Sequence, residues 1–173
     1  LKESGIFVSS FAVESNGFLQ GAVTVTQTLM GMPLSPNVLF LRLGLNDSRD
    51  NEIRNFIDTA QSLELGVIIF RLHPKTMLGQ SQIVNLWIRR GSPNIHLAIL
   101  IGLQLERNWE GKLRLMQAVC DDAEKREALE YLNKLKKIMR LSNDTEIVIV
   151  QGAFEDSLVS VPAADVNIFG CSP

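Results

Sequence analysis

Short apolar runs alternate along this chain with longer amphipathic stretches, and clusters of turn residues separate them. Residues 6–13 are rich in β-branched and aromatic side chains, which predicts a strand broken at Asn16-Gly17. Phe18, Leu19, Ala22, Val23, Val25 and Leu29 predict a helix over 17–30 despite its Val and Thr content, and Pro33 and Pro36 exclude its continuation. Val38-Leu39-Phe40-Leu41 is apolar throughout, the pattern of a strand covered on both faces in a parallel sheet. Asn46, Ser48 and Asp50 are available as caps for the next helix, whose Ile53, Phe56, Ile57, Ala60 and Leu63 share one face. Gly66 is placed to end it as a C′ glycine, and Val67-Ile68-Ile69-Phe70 predicts a second doubly covered strand.

Residues 73–82 read as a loop. In 83–89, Val84, Leu86 and Ile88 share one face, while Asn85, Trp87 and Arg89 share the other. That alternation predicts a strand with one wet face near a sheet edge. Residues 90–94 form a turn, with Ser92 or Asn94 as a cap. The nearly continuous apolar positions of 95–107 fit a helix or a long strand, and their length together with the spacing of Leu97, Leu100, Ile101 and Gln104 favours the helix. A strand over 112–119 follows, then a helix opened by Asp121-Asp122 and closed by Lys136, Lys137 and Arg140, with Ala128, Leu132, Leu135 and Met139 as its apolar stripe. Ile147-Val148-Ile149-Val150 predicts another doubly covered strand, residues 154–161 a short helix, and 165–169 the last strand. Residues 6–72 and 83–150 therefore share a β-α-β-α-β layout without shared sequence, and one more α-β unit follows. The expected fold is α/β, a mostly parallel sheet with helices on both faces, arranged as one domain over 1–173 in two similar halves, about 6–72 and 83–170.

Composition narrows the function more than it names it. Apolar residues make up 46 % of the 173 and charged residues 21 %, enough for a packed core. A net charge of −2 removes the case for a nucleic-acid partner, which would need a basic stripe. The longest apolar run, 97–103, is far short of a membrane span. The chain starts at Leu1 without Met and stops directly after a strand-like run, so it reads as a piece of something longer. Cys120 and Cys171 are too few for a disulfide framework and read as buried, reduced thiols. Phosphate-binding glycine motifs are absent, and the one candidate turn, Gly152-Ala153-Phe154-Glu155, carries a single glycine and a carboxylate that repels phosphate. His73 and His96 have no companions at metal-ligand spacing, and no G-x-S-x-G elbow occurs. The expectation is no catalytic residue, no cofactor and no metal. Residues 134–140 are basic, but they fit the solvated face of an amphipathic helix, and direct lipid contact is not expected.

Three stretches carry a resemblance. Gly31-Met32-Pro33-Leu34-Ser35-Pro36-Asn37, leading into Val38-Leu39-Phe40-Leu41, is the first. The second is Val84-Asn85-Leu86-Trp87-Ile88-Arg89-Arg90, a strand with a hydrophobic-Asx-hydrophobic-Trp order. The third is the apolar helix over 97–105 running into Asn108-Trp109-Glu110-Gly111-Lys112-Leu113-Arg114. In order and spacing these resemble the cytosolic C-terminal domain of cation-chloride cotransporters, within the amino acid–polyamine–organocation transporter superfamily. The resemblance implies a domain distantly similar to universal stress proteins, dimeric, and regulating ion transport without catalysing a reaction. It implies attachment to the transmembrane domain of the same parent chain at the cytoplasmic side of the membrane. The family's phosphorylation-rich insertions are absent and the loops at 73–82 and 162–164 are short, which argues against kinase regulation and suits a prokaryotic member, or a chain whose mobile segments are missing from this sequence. A mean hydropathy of +0.12 and the half-wet strand make Trp87, Arg89 and Arg90 the interface candidates for a homodimer. The alternatives are a nucleotide-binding protein of the universal-stress type, which would need a glycine-rich phosphate loop, and a small-molecule enzyme, which would need a convergent polar site.

Overall fold

In the computed structural model, which describes residues 8, 10, 12–44 and 49–170, the first helix is α1, Phe18–Met30. Its β-branched residues are accommodated individually. The hydroxyls of Thr24, Thr26 and Thr28 each donate to the carbonyl four residues back, at 2.8–2.9 Å, which satisfies the polar groups within the helix. Strand β1, Val38–Arg42, pairs in parallel with β2, Gly66–Phe70, and helix α2, Asp50–Ser62, connects them. These elements belong to the first of two compact units, Leu1–Pro74. Phe56 and Ala60 of α2 are buried, and the Phe18 ring meets the Phe56 ring edge-on at 6.4 Å. The strand expected over 6–13 falls partly outside the described residues, and so do the candidate caps Asn46 and Ser48. Val8, Ser10, Ala12 and Val13 lie in no strand.

Three expectations for this unit are corrected. Phe40 is 62 % exposed and Ile69 47 %, so β1 and β2 are not covered on both faces. Two strands with two helices supply too few layers to enclose both sides of a sheet. Gly66 does not end α2. Glu64 takes the left-handed position with φ 58°, and Gly66 opens β2. Asp50 is a first-turn acid of α2 and not its cap, since Arg49 holds the N-cap position.

The second unit, Lys75–Pro173, holds β3 (Ile83–Trp87), α3 (Ile95–Trp109), β4 (Lys112–Val119), α4 (Asp122–Ile138), β5 (Glu146–Gln151), α5 (Phe154–Ser160) and β6 (Val166–Phe169). The strand order is β5-β4-β3-β6 and every pairing is parallel. Chain order runs outward from β3 to β5, then α5 carries the chain back so that β6 adds to the other side of β3. That places a topological switch between β3 and β6, with helices on both faces of the sheet. Val84, Leu86, Leu113 and Leu115 form one face and pack with Ile99 of α3 and Leu132 and Leu135 of α4. Gly102 permits the close approach of α3, because a Cβ there would stand 3.1 Å from Leu113 Cδ1. The N-terminus of α4 is capped by Asp121, whose Oδ1 accepts from Ala123 N at 2.9 Å and Glu124 N at 2.8 Å.

The structure overturns the half-wet reading of β3. Asn85 is fully buried and Trp87 is 6 % exposed, because β3 lies inside the sheet and its second face is covered. β5 is an edge strand, and residues 147–150 are only partly buried there. Cys120 is exposed where a buried thiol was expected, since it follows the last residue of β4, and Cys171 lies outside the described residues.

Candidate interaction surface

The polar and aromatic residues singled out on β3 separate into a buried group and an exposed pair. Register sets Asn85 opposite Asn167 and Trp87 opposite Phe169 of β6. Asn167 Oδ1 accepts from Trp87 Nε1 at 3.0 Å and from Asn85 Nδ2 at 3.2 Å, and Asn85 Nδ2 also reaches the Pro162 carbonyl at 3.3 Å. The Trp87 ring stacks on Phe169 with centroids 6.0 Å apart and meets Phe154 of α5 edge-on at 5.3 Å. Trp87 thus joins β3, β6 and α5. It has the apolar body and the hydrogen-bonded N–H that a buried indole needs.

Beyond Trp87 the chain continues only one residue in the sheet, where Ile88 N donates to Met116 O at 2.8 Å. Arg89 and Arg90 then emerge, both exposed. Arg90 lies 3.5 Å from Glu127 of α4 and 6.0 Å from the Tyr131 ring. Both charged groups are nearly three-quarters exposed, so this pair contributes little to stability and leaves the guanidinium available to solvent. The exposed apolar residues of this unit are spread over several elements, with Leu100 on α3, Leu129 and Ile138 on α4, and others on α5 and β6. Phe154 and Phe169 are 43 % and 42 % exposed, and Val159 is 89 % exposed.

Asp165, just before β6, escaped notice in the sequence. Its Oδ1 accepts from Gln80 N at 2.7 Å, and its Oδ2 from Gln82 N at 2.9 Å and Ile83 N at 2.8 Å. The Gln82 N–H pulls the carboxyl below its ordinary value of 3.8 more than any other group does; desolvation opposes it, and the Ile83 and Gln80 N–H groups add to it. The unfolded chain therefore binds this proton more readily than the folded one. Asp165 contributes its stability above the ordinary Asp value and loses it as pH falls through the lowered folded value. In denaturant melts from neutral to strongly acidic pH, the stability difference between wild type and Asp165→Asn closes over that acidic interval; a difference independent of pH would contradict the assignment.

On another surface Glu106, Glu110, Asp144 and Glu146 line a shallow hollow together with Lys112. Burial raises the Glu106 carboxyl, the Leu113 N–H and Arg107 oppose the rise, and Asp144 adds to it. Among the described residues no group of three or more His, Cys, Asp or Glu is arranged to hold a metal ion. The turn after β5 leads into a helix of seven residues whose first turn holds Glu155 and Asp156.

Two units, each with a parallel sheet and helices, place the chain among α/β proteins. Comparison with known proteins narrows the class. Residues 1–78 match the first part of the C-terminal domain of prokaryotic cation-chloride cotransporters, and residues 79–173 match the second part. The crystal structure of the cytoplasmic domain of a prokaryotic cation chloride cotransporter superposes with a TM-score of 0.78 at 30 % identity, over 86 % of this chain and 59 % of that one. No curated protein matches the chain. The chain belongs to the prokaryotic cation-chloride cotransporter family, and it spans 59 % of the length of that solved domain.

Proposed function

We propose that this chain is a non-catalytic regulatory and dimerisation domain, held at the cytoplasmic side of the membrane by the transmembrane part of a cation-coupled chloride transporter. The observation that carries the reading is that its two parts match, in order, the two consecutive parts of one family's C-terminal domain. The likeness to a solved cytoplasmic domain supports the location. Among the described residues no helix is long and apolar enough to cross a membrane, so anchoring falls to another part of the parent. Two copies meet in a two-fold contact, which lets one patch serve both chains. Arg89 and Arg90 remain its exposed candidates, while Trp87, 6 % exposed, packs inside the unit.

Light scattering coupled to size exclusion, over a wide concentration range, tests the dimer. The mass rises from 19.3 kDa toward twice that value as concentration increases. Tethering to a membrane would raise the effective concentration of the copies, so a weak contact in isolation suffices. A mass that stays at 19.3 kDa throughout removes dimerisation from the reading. Deleting this segment from the parent tests regulation: cation-dependent chloride flux changes while insertion of the parent persists, and an unchanged flux overturns the regulatory role.

A further inference from the structure

A mostly apolar strand forms one edge of the four-stranded sheet. β5 pairs with β4 on one side, and among the described residues no strand pairs with it on the other. Gly152 N donates to Val119 O of β4 at 2.9 Å. Peptide groups point to alternate sides along a strand, so those of Val148 and Val150 face β4 as well. The N–H and C=O groups of Ile147, Ile149 and Gln151 face outward. A row of this kind is a template for another strand unless a proline, a lysine, a bulge or a covering element blunts it. β5 contains neither proline nor lysine, and its register with β4 runs without a bulge from Arg114 opposite Glu146 to Val119 opposite Gln151. Its single charge is Glu146, which Arg114 holds at 2.9 Å. Residues 147–150 are only partly buried.

We propose that a second copy of this chain docks on this edge, its β5 antiparallel to the first across a two-fold axis at Ile149. The outward groups select that register. Ile149 meets its own counterpart, and Ile147 meets the counterpart of Gln151. All three outward residues then exchange hydrogen bonds, as opposed residues of an antiparallel ladder do. The strand is thereby self-complementary, as a two-fold contact requires. Charge favours the same arrangement. Each Glu146 falls opposite the uncharged Gly152 position, and the two carboxylates stand about 20 Å apart. A parallel pairing would set them side by side, where like charges repel. Helix α4 enlarges the contact. Its Lys136 Nζ reaches Asn143 O at 2.9 Å and Thr145 O at 2.7 Å, at the entry to β5. Leu129 lies two turns earlier on the same face of α4, about 10 Å back along the helix, which carries it alongside the middle of the strand. It is 47 % exposed, so two copies of it add apolar area beside the axis. The inference rests on the dimer reading and gives its contact a centre, two strands away from Arg89 and Arg90 at the end of β3.

Amide exchange of the full chain, read residue by residue at low and high protein concentration alongside the light-scattering mass, tests the edge. As the mass rises from 19.3 kDa toward twice that value, exchange at Ile147, Ile149 and Gln151 slows roughly tenfold or more, while Val148 and Val150 are protected at both concentrations. Gln151→Pro removes one outward N–H from each copy and no hydrogen bond to β4, so the dimer dissociation constant rises roughly tenfold. The exchange measurement needs no variant and decides the matter if this one fails to fold. A mass that doubles while the three outward amides exchange as in the monomer overturns the edge and leaves the dimer reading standing. Outward amides already protected in the dilute monomer overturn it too, because another part of the chain would then cover β5. An unchanged dissociation constant in a folded Gln151→Pro variant does the same. A mass fixed at 19.3 kDa removes the edge and the dimer reading together.

Discussion

Trp87→Ala lowers the stability of the folded chain by about 3–5 kcal/mol, the range for removing a large aromatic side chain from a core. The loss has three parts. The indole leaves a cavity between β3, β6 and α5. The stacked contact with Phe169 and the edge contact with Phe154 disappear together. Asn167 Oδ1 then keeps only the Asn85 amide as a donor. Denaturant midpoints at a fixed, low protein concentration measure the effect on the monomer. A change below about 1 kcal/mol would place Trp87 among surface positions, where substitutions have small effects.

Gly111→Ala is expected to destabilise by about 1–3 kcal/mol, as an extra carbon forced into a filled site does. The collision is with backbone. A Cβ on Gly111 would overlap Gln82 O, and it would stand 2.9 Å from Gln82 C and 3.3 Å from its Cα. A flexible side chain could swing away, but this carbonyl is held by the Lys112 N–H at 2.7 Å and its residue by Asp165. The start of β4 and the entry to β3 must therefore separate. Thermal unfolding at several concentrations measures the loss. Glu110→Gly is the matched control, because Glu110 has φ 51° and glycine accepts that geometry readily. A neutral Gly111→Ala would mean that the two segments can part without consequence.

Periodicity located the second unit closely. The helices over 95–109 and 122–138, the strand over 112–119 and the short helix after Gly152 all stand where apolar spacing and turn residues put them. The family was legible too, since the order of the Pro-Asn turn, the Trp strand and the Asn108-Trp109 turn survives where residue identity does not. What escaped was the environment of β3. Alternation says that Asn85 and Trp87 share a face, but not what covers it. Their partner Asn167 stands about eighty positions away, and no local pattern announces that β6 returns to β3. The extra reach of β1 and β2 into solvent was hidden for the reverse reason: a run of apolar residues reports an appetite for cover, and cover depends on how many layers the unit supplies. Asp165 looked like the opening residue of a strand because its partners at the entry to the neighbouring β3 stand more than eighty positions earlier in the chain.

The return of β6 to the first strand of its sheet has a consequence for synthesis. As the chain leaves the ribosome, β3, α3, β4, α4 and β5 can assemble by neighbouring contacts, which are the quick ones to form. β3 nevertheless keeps an open flank, with an indole and a carboxamide unattended, until β6 has emerged. For that interval the nascent domain presents an unpaired strand edge, the surface by which incomplete chains stick to one another. The return of β6 therefore closes a vulnerability that the earlier pairing of β3, β4 and β5 leaves open.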